Sequence, residues 1–559
     1  MEITSDNFEE RLPVIEKAIT EADFLSFDCE FTGLGKGNTS VGPYDTPELI
    51  YGKFRQNVGK FVLMQFGLCA FKFIKEENRY EYSCFTCYVY PRVPKKFESM
   101  RVTGSMASGS ACSFQPDSFE MLSSHGFDFN KWICKGVGYL RQQDIDRYKE
   151  ELTRIHKIRE EANESPQMVK VPDGMKVLVT KILKTVDEFM TEDENKKDFL
   201  EVPDLAAYER RIVAQSLESK YGWKVYVETL PVGRQQNCPL RAYKCAEKEV
   251  NSAHRQRHLD NEVKDIENAK GFCRILEMIT KSGKPIIGHN MLMDLLHTCK
   301  AFCFDLPVHY ADFLSSLKAH LPTVVDTKSF CALPQLRAVS GTNPSLGDLW
   351  KKVNSSPFPE VDYRPTEKAF EVSGSFHDAG YDAYITGVVF LKLAVYLGRT
   401  STPYKTSSEI FWSLFETTVN KLAIPRVQDI SGLDLSVKGC QAPDRSHVFH
   451  VSLDETVHWT NKDVLNLFSP FGDVHINWCN DSNLFVSLER RKEAAKVREK
   501  LCGPNDHVWK VRPVEEFTKE LEKAMKEAEV DSKAGGNKRA RPDTTAEQAK
   551  KTKAKVSGD

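Results

Sequence analysis

The fold is decided near the start of the chain by the stretch Asp23-Phe-Leu-Ser-Phe-Asp-Cys-Glu-Phe31. Its apolar character predicts a β-strand, in which side chains alternate between the two faces of a sheet. Asp28 and Glu30 then project from one face, about 7 Å apart, and apolar neighbours take the other. Carboxylates buried side by side repel, so a pKa must rise or a cation must neutralise them. Most such pairs are solvated faces, but the apolar flank favours a metal site here.

A second acid follows a buried strand in the middle of the chain. The stretch Ile287-Gly-His-Asn-Met-Leu-Met-Asp294 predicts a strand end, a loop and the first turns of a helix that carries Asp294. An acid at a helix start is ordinary, because it compensates the helix dipole. By itself Asp294 is therefore as consistent with dipole compensation or capping as with a metal ligand.

The third element is the stretch His377-Asp-Ala-Gly-Tyr-Asp-Ala-Tyr-Ile-Thr386. Five helical residues turn through about 500°, so His377 and Asp382 would point apart if both were helical. We expect His377 on the loop that leads into the helix, and Asp382 on the apolar stripe that packs against the sheet. A solitary histidine is more often structural, but its spacing to an acid on an apolar face favours a functional role.

The strands before the charged middle segment predict an antiparallel meander, and the strands that alternate with helices from Gly271 onward indicate an α/β sheet. Strands are predicted at 60–71, 82–90, 284–288 and 323–327. Two highly charged helical stretches, 141–164 and 244–270, bracket a compact piece that looks like an insertion. A βαββ-type pattern begins at Val448, and the chain closes on a segment rich in Ala, Lys and Glu that predicts disorder.

Composition restricts the class of protein. The 559 residues carry a formal net charge of only −2, so a polyanion would have to bind local basic surfaces or metal ions. The 15 cysteines are scattered and no signal peptide is evident, so we expect free thiols in a reducing compartment. The C-x-x-C pair Cys84 and Cys87 lies in a strand-like run and has no matching second pair, which disfavours zinc. The longest apolar run, Val388–Leu397, predicts a buried helix rather than a membrane span, so no membrane partner is expected.

Taken in order, the three motifs resemble those of the DEDDh exonucleases. They read Asp28-x-Glu30, Asn290-x-x-x-Asp294 and His377-x-x-x-x-Asp382. The tyrosine subtype would need Tyr four residues before the last Asp, where Asp378 stands. Further stretches extend the resemblance to the poly(A)-specific ribonuclease family: Phe27-Asp-Cys-Glu-Phe-Thr-Gly-Leu34, Gln65-Phe-Gly-Leu-Cys69, Gly126-Phe-Asp-Phe-Asn130, Gly288-His-Asn-Met-Leu292 and His377-Asp-Ala-Gly-Tyr-Asp-Ala-Tyr-Ile-Thr-Gly387.

The resemblance implies a ribonuclease H-like α/β fold, a mixed sheet with flanking helices. A small α/β insert resembling the Arg-x-x-x-His RNA-binding module would interrupt it, and an α+β domain like an RNA-recognition motif (RRM) would follow. The implied domains are nuclease residues 1–165, insert 170–243, nuclease residues 250–400, RRM-like domain 445–515 and a charged, disordered tail 516–559.

The accessory domains depart from the family pattern. In the insert, Arg211 is followed four residues later by Gln215 instead of His, so independent RNA binding by the insert stays open. The RRM-like domain keeps only Phe485 of the usual aromatic pair on its third strand. By resemblance, Trp478 stacks on a methylated cap guanine, with roughly 1–3 kcal/mol available from stacking. Packing or a dimer contact is the alternative role for Trp478.

The implied activity is 3′→5′ exoribonuclease hydrolysis of single-stranded RNA, most directly the shortening of mRNA poly(A) tails with release of 5′-AMP. Asp28, Glu30, Asp294 and Asp382 would hold two Mg²⁺ ions, for which Mn²⁺ can substitute, and His377 would be the general base. The resemblance also implies that Asn290, Lys328 and Asn343 line the RNA track, with Phe31, Phe119 and Met293 as apolar neighbours of bases. Trp478 is the remaining implied substrate contact, at the cap.

Several expectations concern partners. The resemblance implies a homodimer that binds RNA 3′ ends, poly(A) and in some cases the mRNA cap. Basic stretches at Lys538–Arg541 and Lys550–Lys555 are spaced like a nuclear-import signal, which predicts location in nucleus and cytoplasm, although such tails are often simply solvated. Two alternatives stay open: 3′-end trimming of small non-coding RNA precursors such as piRNAs, and an RNA-binding scaffold without activity.

Overall fold

The computed structural model describes most of the chain, and the account below is confined to that part. The described residues are 1–35, 41–92, 112–164, 171–191, 199–229, 238–372, 374–404, 406–424, 427–430, 432–436, 443–454, 456–503 and 508–535. They divide into two compact units, the first made of 1–89, 112–136 and 275–559 and the second of 90–111 and 137–274. The basic stretches beyond residue 535 lie outside the described residues.

A seven-stranded mixed sheet forms the centre of the first unit. Its strands are β1 (Glu2–Ile3), β2 (Phe24–Phe31), β3 (Leu63–Ile74), β4 (Arg79–Tyr88), β8 (Ile286–Gly288), β9 (Val324–Asp326) and β10 (Tyr363–Pro365). Strands β2, β3 and β4 form an antiparallel meander, while β8 and β9 continue from β2 in parallel. The expected α/β fold with a mixed sheet is confirmed, and the predicted strand ends differ by a few residues.

Eleven helices among the described residues accompany this sheet. They are α1 (Phe8–Glu21), α2 (Pro47–Val58), α3 (Pro116–Ser124), α4 (Phe129–Lys135), α9 (Cys273–Ser282), α10 (Leu292–Thr298), α11 (Tyr310–His320), α12 (Thr327–Phe330), α13 (Pro334–Ser340), α14 (Leu346–Val353) and α15 (Ala379–Ser401).

Helix α15 is the core helix of the first unit. By length and composition it could cross a membrane, but 83% of its apolar window is buried inside the protein. It packs on the sheet, with residues such as Val389 and Leu393 in the same apolar cluster as Phe24 and Phe71 of the strands. The predicted buried helix is therefore confirmed, and its apolar run serves the core.

Glycine is required where α15 begins, because the helix lies directly on β3. A Cβ atom built on Gly67 would lie 1.8 Å from the carbonyl oxygen of Ala379. One built on Gly380 would lie 1.9 Å from the hydroxyl of Thr86 on β4. Since Gly67 is the register partner of Asp28, this close approach brings the start of α15 next to the part of β2 that carries Asp28.

The second unit contains the insert and the two charged helices that bracket it. Its elements are α5 (Gln142–Glu164), α6 (Lys176–Thr191), β5 (Phe199–Leu205), α7 (Ala207–Tyr221), β6 (Val225–Thr229), β7 (Cys238–Lys244) and α8 (Lys248–Asn268). The strands form an antiparallel sheet in the order β5-β7-β6. We assigned α5 and much of α8 to the two nuclease halves, whereas the contacts group both helices with the insert.

The C-terminal domain has the alternation expected of an RRM. Its elements, preceded by the short pair β11 (Lys421–Leu422) and β12 (Leu433–Asp434), are β13 (Val448–Leu453), α16 (Asn461–Phe468), β14 (Val474–Asn480), β15 (Asn483–Leu488), α17 (Ala494–Leu501), β16 (Trp509–Pro513) and α18 (Val514–Gly535). The four-stranded sheet runs β14-β15-β13-β16, all antiparallel. An apolar cluster between this sheet and its two helices forms a separate small core.

The start of the segment predicted as a disordered tail needs correction. Helix α18 occupies Val514–Gly535. Its first turns bury Val514 and Thr518, and Phe517 stacks on His450 of β13 with ring centroids 3.8 Å apart. Composition suggested disorder because the helix is rich in charge, but its periodic apolar residues provide one face for packing.

The thirteen described cysteines recorded as free thiols agree with the expectation from composition. Cys84 and Cys87 are both buried in β4, and Cys84 donates a hydrogen bond to the carbonyl oxygen of Gly380 at 3.1 Å. The C-x-x-C pair therefore takes part in packing the sheet against α15.

Candidate active site

Strand β2 holds the first pair of acids. The register places Asp28 opposite Gly67 and Glu30 opposite Gln65 on β3. Glu30 is buried, with 8% of its surface exposed, and Asp28 is half-buried. Pairing with β3 at both positions fixes the backbone of β2 there, so the spacing of the two carboxylates is set by the pleat.

Asp294 lies on α10, the helix that follows the parallel strand β8. It is the third residue of α10, which follows β8 after a loop in which Asn290 has a φ of +56°. The Asp294 side chain is buried, with 9% exposed. The predicted strand, loop and helix are thus present, and the burial of the acid argues against simple dipole compensation at a solvated helix end.

The last motif places a histidine and an acid at the start of α15. Asp378 is the N-cap residue and accepts a hydrogen bond from the backbone N–H of Tyr381 at 3.0 Å. His377 precedes the helix with a φ of +70°, and its backbone N–H donates to Oδ2 of Asp382 at 2.9 Å. His377 therefore lies on the loop as expected, and its side chain is exposed while Asp382 is buried.

The four carboxyl groups lie close enough for repulsion among them to raise the pKa of Asp28 and Glu30. Burial, followed by repulsion from Asp294, Asp382 and Glu30, raises the pKa of Asp28 well above its usual value. Burial and repulsion from Asp382 and Asp294 do the same for Glu30. Burial is also the main cause that raises the pKa of Asp294 to about 7 and that of Asp382 to about 6. Without a cation, this cluster is destabilised as carboxylates.

The residues fit a divalent-cation site. One ligand atom from each of Glu30, His377 and Asp382 lies within 4.8 Å of the other two. Oδ1 of Asp382 is buried and has no hydrogen-bond partner among the described residues, although the other oxygen of the same carboxylate is bonded to His377. A buried carboxylate oxygen without a partner is costly unless a cation occupies the space beside it. The carboxylate oxygens of this site suit a hard divalent ion.

Asp326 is a buried acid beside the site that no short sequence motif singles out. It is fully buried at the end of β9 and caps α12. Its Oδ1 accepts the backbone N–H groups of Asn290 and Lys328, both at 2.9 Å, and Oδ2 accepts that of Ala423 at 3.1 Å. Asp326 therefore joins two loops that carry predicted RNA-track residues. The signal in the sequence was an acid at the end of a buried strand.

Asp378 and Gln65 hold the start of α15 on the sheet. The side-chain oxygen of Gln65 accepts the backbone N–H of Ala379 at 2.9 Å, and its amide reaches Asp378 at 3.5 Å. Since Gln65 is also the register partner of Glu30, one residue links the first and third motifs. These positioning contacts span more than 300 residues of chain, and no local pattern marks them.

A second histidine stands beside His377. The ring of His125 packs edge-on against the ring of His377 with centroids 4.6 Å apart. His125 Nδ1 lies 2.8 Å from the carbonyl oxygen of Met121. Burial, and then the proximity of His125, lower the pKa of His377. The His377 ring is therefore neutral near pH 7, as a general base must be.

The predicted RNA-track residues fall into two groups. Asn290 and Asn343 are exposed, and Phe119, Met293 and Lys328 are half-buried, so these five are accessible in part. Phe31 is buried with 7% exposed, and its ring stacks on His297 at 4.2 Å between centroids. Phe31 is thus enclosed by the protein in this structure.

Trp478 lies on β14 at the edge of the RRM-like sheet. Its indole N–H donates to Oδ1 of Asn461 at 2.7 Å, and its ring packs against the small core together with Val474 and Ile476. The ring is half-buried. These contacts are those expected if Trp478 packs within its domain instead of stacking on a cap. Part of the ring stays accessible.

The face of the RRM-like sheet that carries Phe485, opposite to the face on which Trp478 packs, is covered by other parts of the chain. Phe485 is buried, with Tyr44 of the nuclease domain 5.3 Å from its ring and Phe517 of α18 5.8 Å away. Arg445 donates to the carbonyl oxygen of Tyr44 and forms an ion pair of 2.7 Å with Asp429. The aromatic residue that the sequence suggested as a base platform is therefore a packing residue between the two domains.

The chain is similar to known ribonucleases. A family model described as CAF1 family ribonuclease matches residues 3–390, and one described as RNA binding domain matches residues 440–520. Poly(A)-specific ribonuclease PARN of Xenopus laevis is 33% identical over 507 residues, covering 88% of this chain and 78% of the relative. Poly(A)-specific ribonuclease PNLDC1 of Mus musculus is 28% identical, over 70% of this chain and 71% of the relative. The pre-piRNA 3′-exonuclease trimmer of Bombyx mori is 26% identical, also over 70% and 71%.

Proposed function

The chain belongs to the CAF1 family of ribonucleases, and from this premise we propose that it is a 3′→5′ exoribonuclease that shortens poly(A) tails and releases 5′-AMP. The observation that carries the proposal is the convergence of four carboxyl groups beside His377. Asp28, Glu30, Asp294 and Asp382 come from three separate parts of the chain and share one electrostatic environment. A scaffold that only bound RNA would gain nothing from this costly cluster.

The cation of the site is proposed to be Mg²⁺, in two copies, with Mn²⁺ as a substitute. Asp28, Glu30 and Asp382 would hold one ion, and Asp28 with Asp294 the second. When bound, the ions supply Lewis-acid stabilisation to the attacking and leaving oxygens of phosphodiester hydrolysis. The free Oδ1 of Asp382 supports its role as a ligand, because its other oxygen is already used by the His377 backbone.

His377 is proposed to take the proton from the attacking water. Its side chain is exposed at the mouth of the site, and its lowered pKa keeps the ring neutral at physiological pH. General-base catalysis of this kind contributes typically 10²- to 10⁴-fold to the rate. His125 beside it is a positioning residue, since its ring limits how the His377 ring can turn.

The RNA end is proposed to lie along the loops that Asp326 holds. Asn290 and Lys328 receive their backbone positions from this one buried carboxylate. Lys328 supplies the positive charge for a phosphate, and Phe119 and Met293 are half-buried neighbours for bases. The side chain of Asn343 is exposed, and Asn343 completes the proposed track. Phe31 is buried against His297 and would support the track by packing rather than by direct contact with RNA.

The test is digestion of labelled RNA by the purified full-length chain with Mg²⁺. We expect a 5′-labelled oligo(A) to shorten one nucleotide at a time, 5′-AMP to appear, and a 3′-phosphorylated oligo(A) to resist. Asp382→Asn should abolish the reaction. The matched control is Asp362→Asn, an exposed acid that pairs with Arg364 at the surface. Internal cleavage products, or full activity of the Asp382 variant, would contradict the proposal.

The second candidate function is 3′-end trimming of small non-coding RNA precursors such as piRNAs. It is favoured by the similarity to PNLDC1 and to the pre-piRNA trimmer over 70% of this chain. Equal rates on mixed-sequence RNA and oligo(A) would favour trimming. A preference of tenfold or more for oligo(A) would favour deadenylation.

A homodimer, cap binding through Trp478, and location in both nucleus and cytoplasm are further proposals that rest on the sequence resemblance. Light scattering coupled to size-exclusion chromatography tests the dimer. For the cap, quenching of tryptophan fluorescence by a methylated cap analogue should vanish in Trp478→Leu. Trp459→Leu, which alters another tryptophan that packs on the same small core, is the control for loss of domain stability.

A further inference from the structure

The second unit contains a cluster of metal-binding side chains far in sequence from the nuclease motifs. Helices α5 and α8 run antiparallel, as the pairs Lys149–Glu267 and His156–Glu262 show. Their shared seam is apolar, with Leu152 and Ile266 among its buried residues. At one end of the seam the apolar contacts give way to His156 from α5 and to His258 and Glu262 from α8.

The three side chains converge on one point. Oε2 of Glu262 lies 2.8 Å from Nε2 of His156 and 3.2 Å from Nδ1 of His258. One ligand atom from each of the three residues lies within 4.8 Å of the other two. Ligand atoms around a tetrahedral ion with bonds of about 2.0–2.2 Å are roughly 3.3–3.5 Å apart. Small side-chain shifts would therefore open room for an ion at the centre.

The charge and exposure of the cluster also suit a metal. Burial raises the pKa of Glu262, but the hydrogen bonds from His156 and His258 outweigh it and hold the pKa at about 2. These hydrogen bonds favour the ionised carboxylate, and a bound ion would replace them once the two ring nitrogens had lost their protons. The side chains of His156, Glu262 and His258 are 15%, 19% and 28% exposed, so a fourth position can face solvent.

We propose that His156, His258 and Glu262 form a binding site for a transition-metal ion, with Zn²⁺ as the best fit, that joins α5 to α8. Two imidazoles and one carboxylate with an open fourth position are a ligand set that Zn²⁺ accepts. The nuclease cluster brings four carboxyl groups together beside a single histidine, His377, and its oxygen-rich set favours a hard ion instead. The two sites are therefore proposed to prefer different metals.

The position of the cluster gives the ion a structural role. Four residues before His258 on the same helix, His254 stacks on Tyr226 of the small sheet, with ring centroids 5.3 Å apart. It also contacts Tyr243 at 5.0 Å. Helix α8 thus contacts the insert sheet through His254. Further along the same helix, it contacts α5 through Glu262. An ion bound to both helices would fix the insert sheet on the helix pair within this unit.

The test uses Co²⁺ as a visible probe for the Zn²⁺ site. The full chain carries Asp28→Asn and Asp382→Asn, so that the nuclease cluster contributes little binding. We expect one equivalent of Co²⁺ to give the strong visible absorption of a four-coordinate ion, and Zn²⁺ to remove it by displacement. Glu262→Gln and His156→Gln should each weaken Co²⁺ binding at least 100-fold. Asp260→Asn is the matched control, because Asp260 is an exposed acid on the same helix that accepts a hydrogen bond from Gln256.

A further variant separates loss of the site from loss of folding. His258→Cys keeps a ligand, and we expect it to add a near-ultraviolet thiolate-to-Co²⁺ charge-transfer band that locates the ion at position 258. Circular dichroism of the metal-free variants checks that the helices remain. Absence of four-coordinate Co²⁺ absorption in the parent would overturn the proposal. So would absorption that survives both Glu262→Gln and His156→Gln, because the ion would then lie elsewhere.

Discussion

The backbone N–H of His377 donates a hydrogen bond of 2.9 Å to Oδ2 of Asp382. The proposed general base and a proposed metal ligand are thus joined through the main chain, while the His377 ring stays free to act. The left-handed backbone of His377, with φ of +70°, makes this bond possible by turning the N–H toward the helix. Catalysis and metal binding can therefore be separated by mutation at these two positions.

His377→Asn is expected to lower kcat by about 10²- to 10⁴-fold and to leave Mn²⁺ affinity unchanged. Asparagine tolerates the left-handed conformation, so the backbone bond to Asp382 persists. Single-turnover RNA hydrolysis and Mn²⁺ titration by electron paramagnetic resonance measure the two effects. Asp382→Asn should impair both. An equal loss of Mn²⁺ affinity in the two variants would show that His377 acts mainly as a ligand.

Gly67→Ala is expected to destabilise the nuclease domain by at least about 1–3 kcal/mol and to abolish activity. The added Cβ would lie 1.8 Å from the carbonyl oxygen of Ala379, so the start of α15 must move away from β3. Urea unfolding measures the change in the free energy of unfolding. At Gly347 the nearest atom to an added Cβ is 3.8 Å away, so Gly347→Ala serves as the control and should stay near wild type. Wild-type activity of Gly67→Ala would rule out the tight contact.

Asp326→Asn is expected to raise KM for RNA more than it lowers kcat. The asparagine amide would face the backbone N–H of either Ala423 or the Asn290 and Lys328 pair, and a donor facing a donor costs about 1–3 kcal/mol. The loops that carry Asn290 and Lys328 would then lose their fixed position. Steady-state kinetics on oligo(A) separate the two constants. A fall in kcat at constant KM would place Asp326 in the chemical step.

Phe485→Leu is expected to lower the melting temperature and to leave RNA affinity within about twofold of the parent. The ring is enclosed by Tyr44 and Phe517, so it offers no face to a base, and shortening it costs packing instead. Fluorescence anisotropy with labelled oligo(A), in the inactive Asp382→Asn background, measures affinity. A tenfold loss would mean that the sheet face opens and binds RNA.

The parts of the molecule that sequence predicted are those encoded by short-range patterns. The alternation in β2, the strand-loop-helix around Asp294 and the spacing from His377 to Asp382 each reside within about ten residues, and all have the expected structure. The contacts of Asp326, the ring of His125 and the cover over Phe485 depend on segments distant in sequence. Periodicity does not encode such pairings. The prediction of disorder from composition was wrong at α18, because this highly charged segment also carries apolar residues that pack on one face of the helix.

The parallel pairing of β2 with β8 also bears on the order in which the molecule is built. Leu25 of β2 pairs with Ile286 of β8, so the first catalytic strand gains its second neighbour only after the entire insert has been synthesised. The β2-β3-β4 meander involves near neighbours in sequence and can form early, whereas Asp382 joins Asp28 from 354 residues away. Contacts this distant carry a large loop-closure cost and form slowly. A growing chain on the ribosome therefore cannot cleave RNA until its last nuclease helix has emerged.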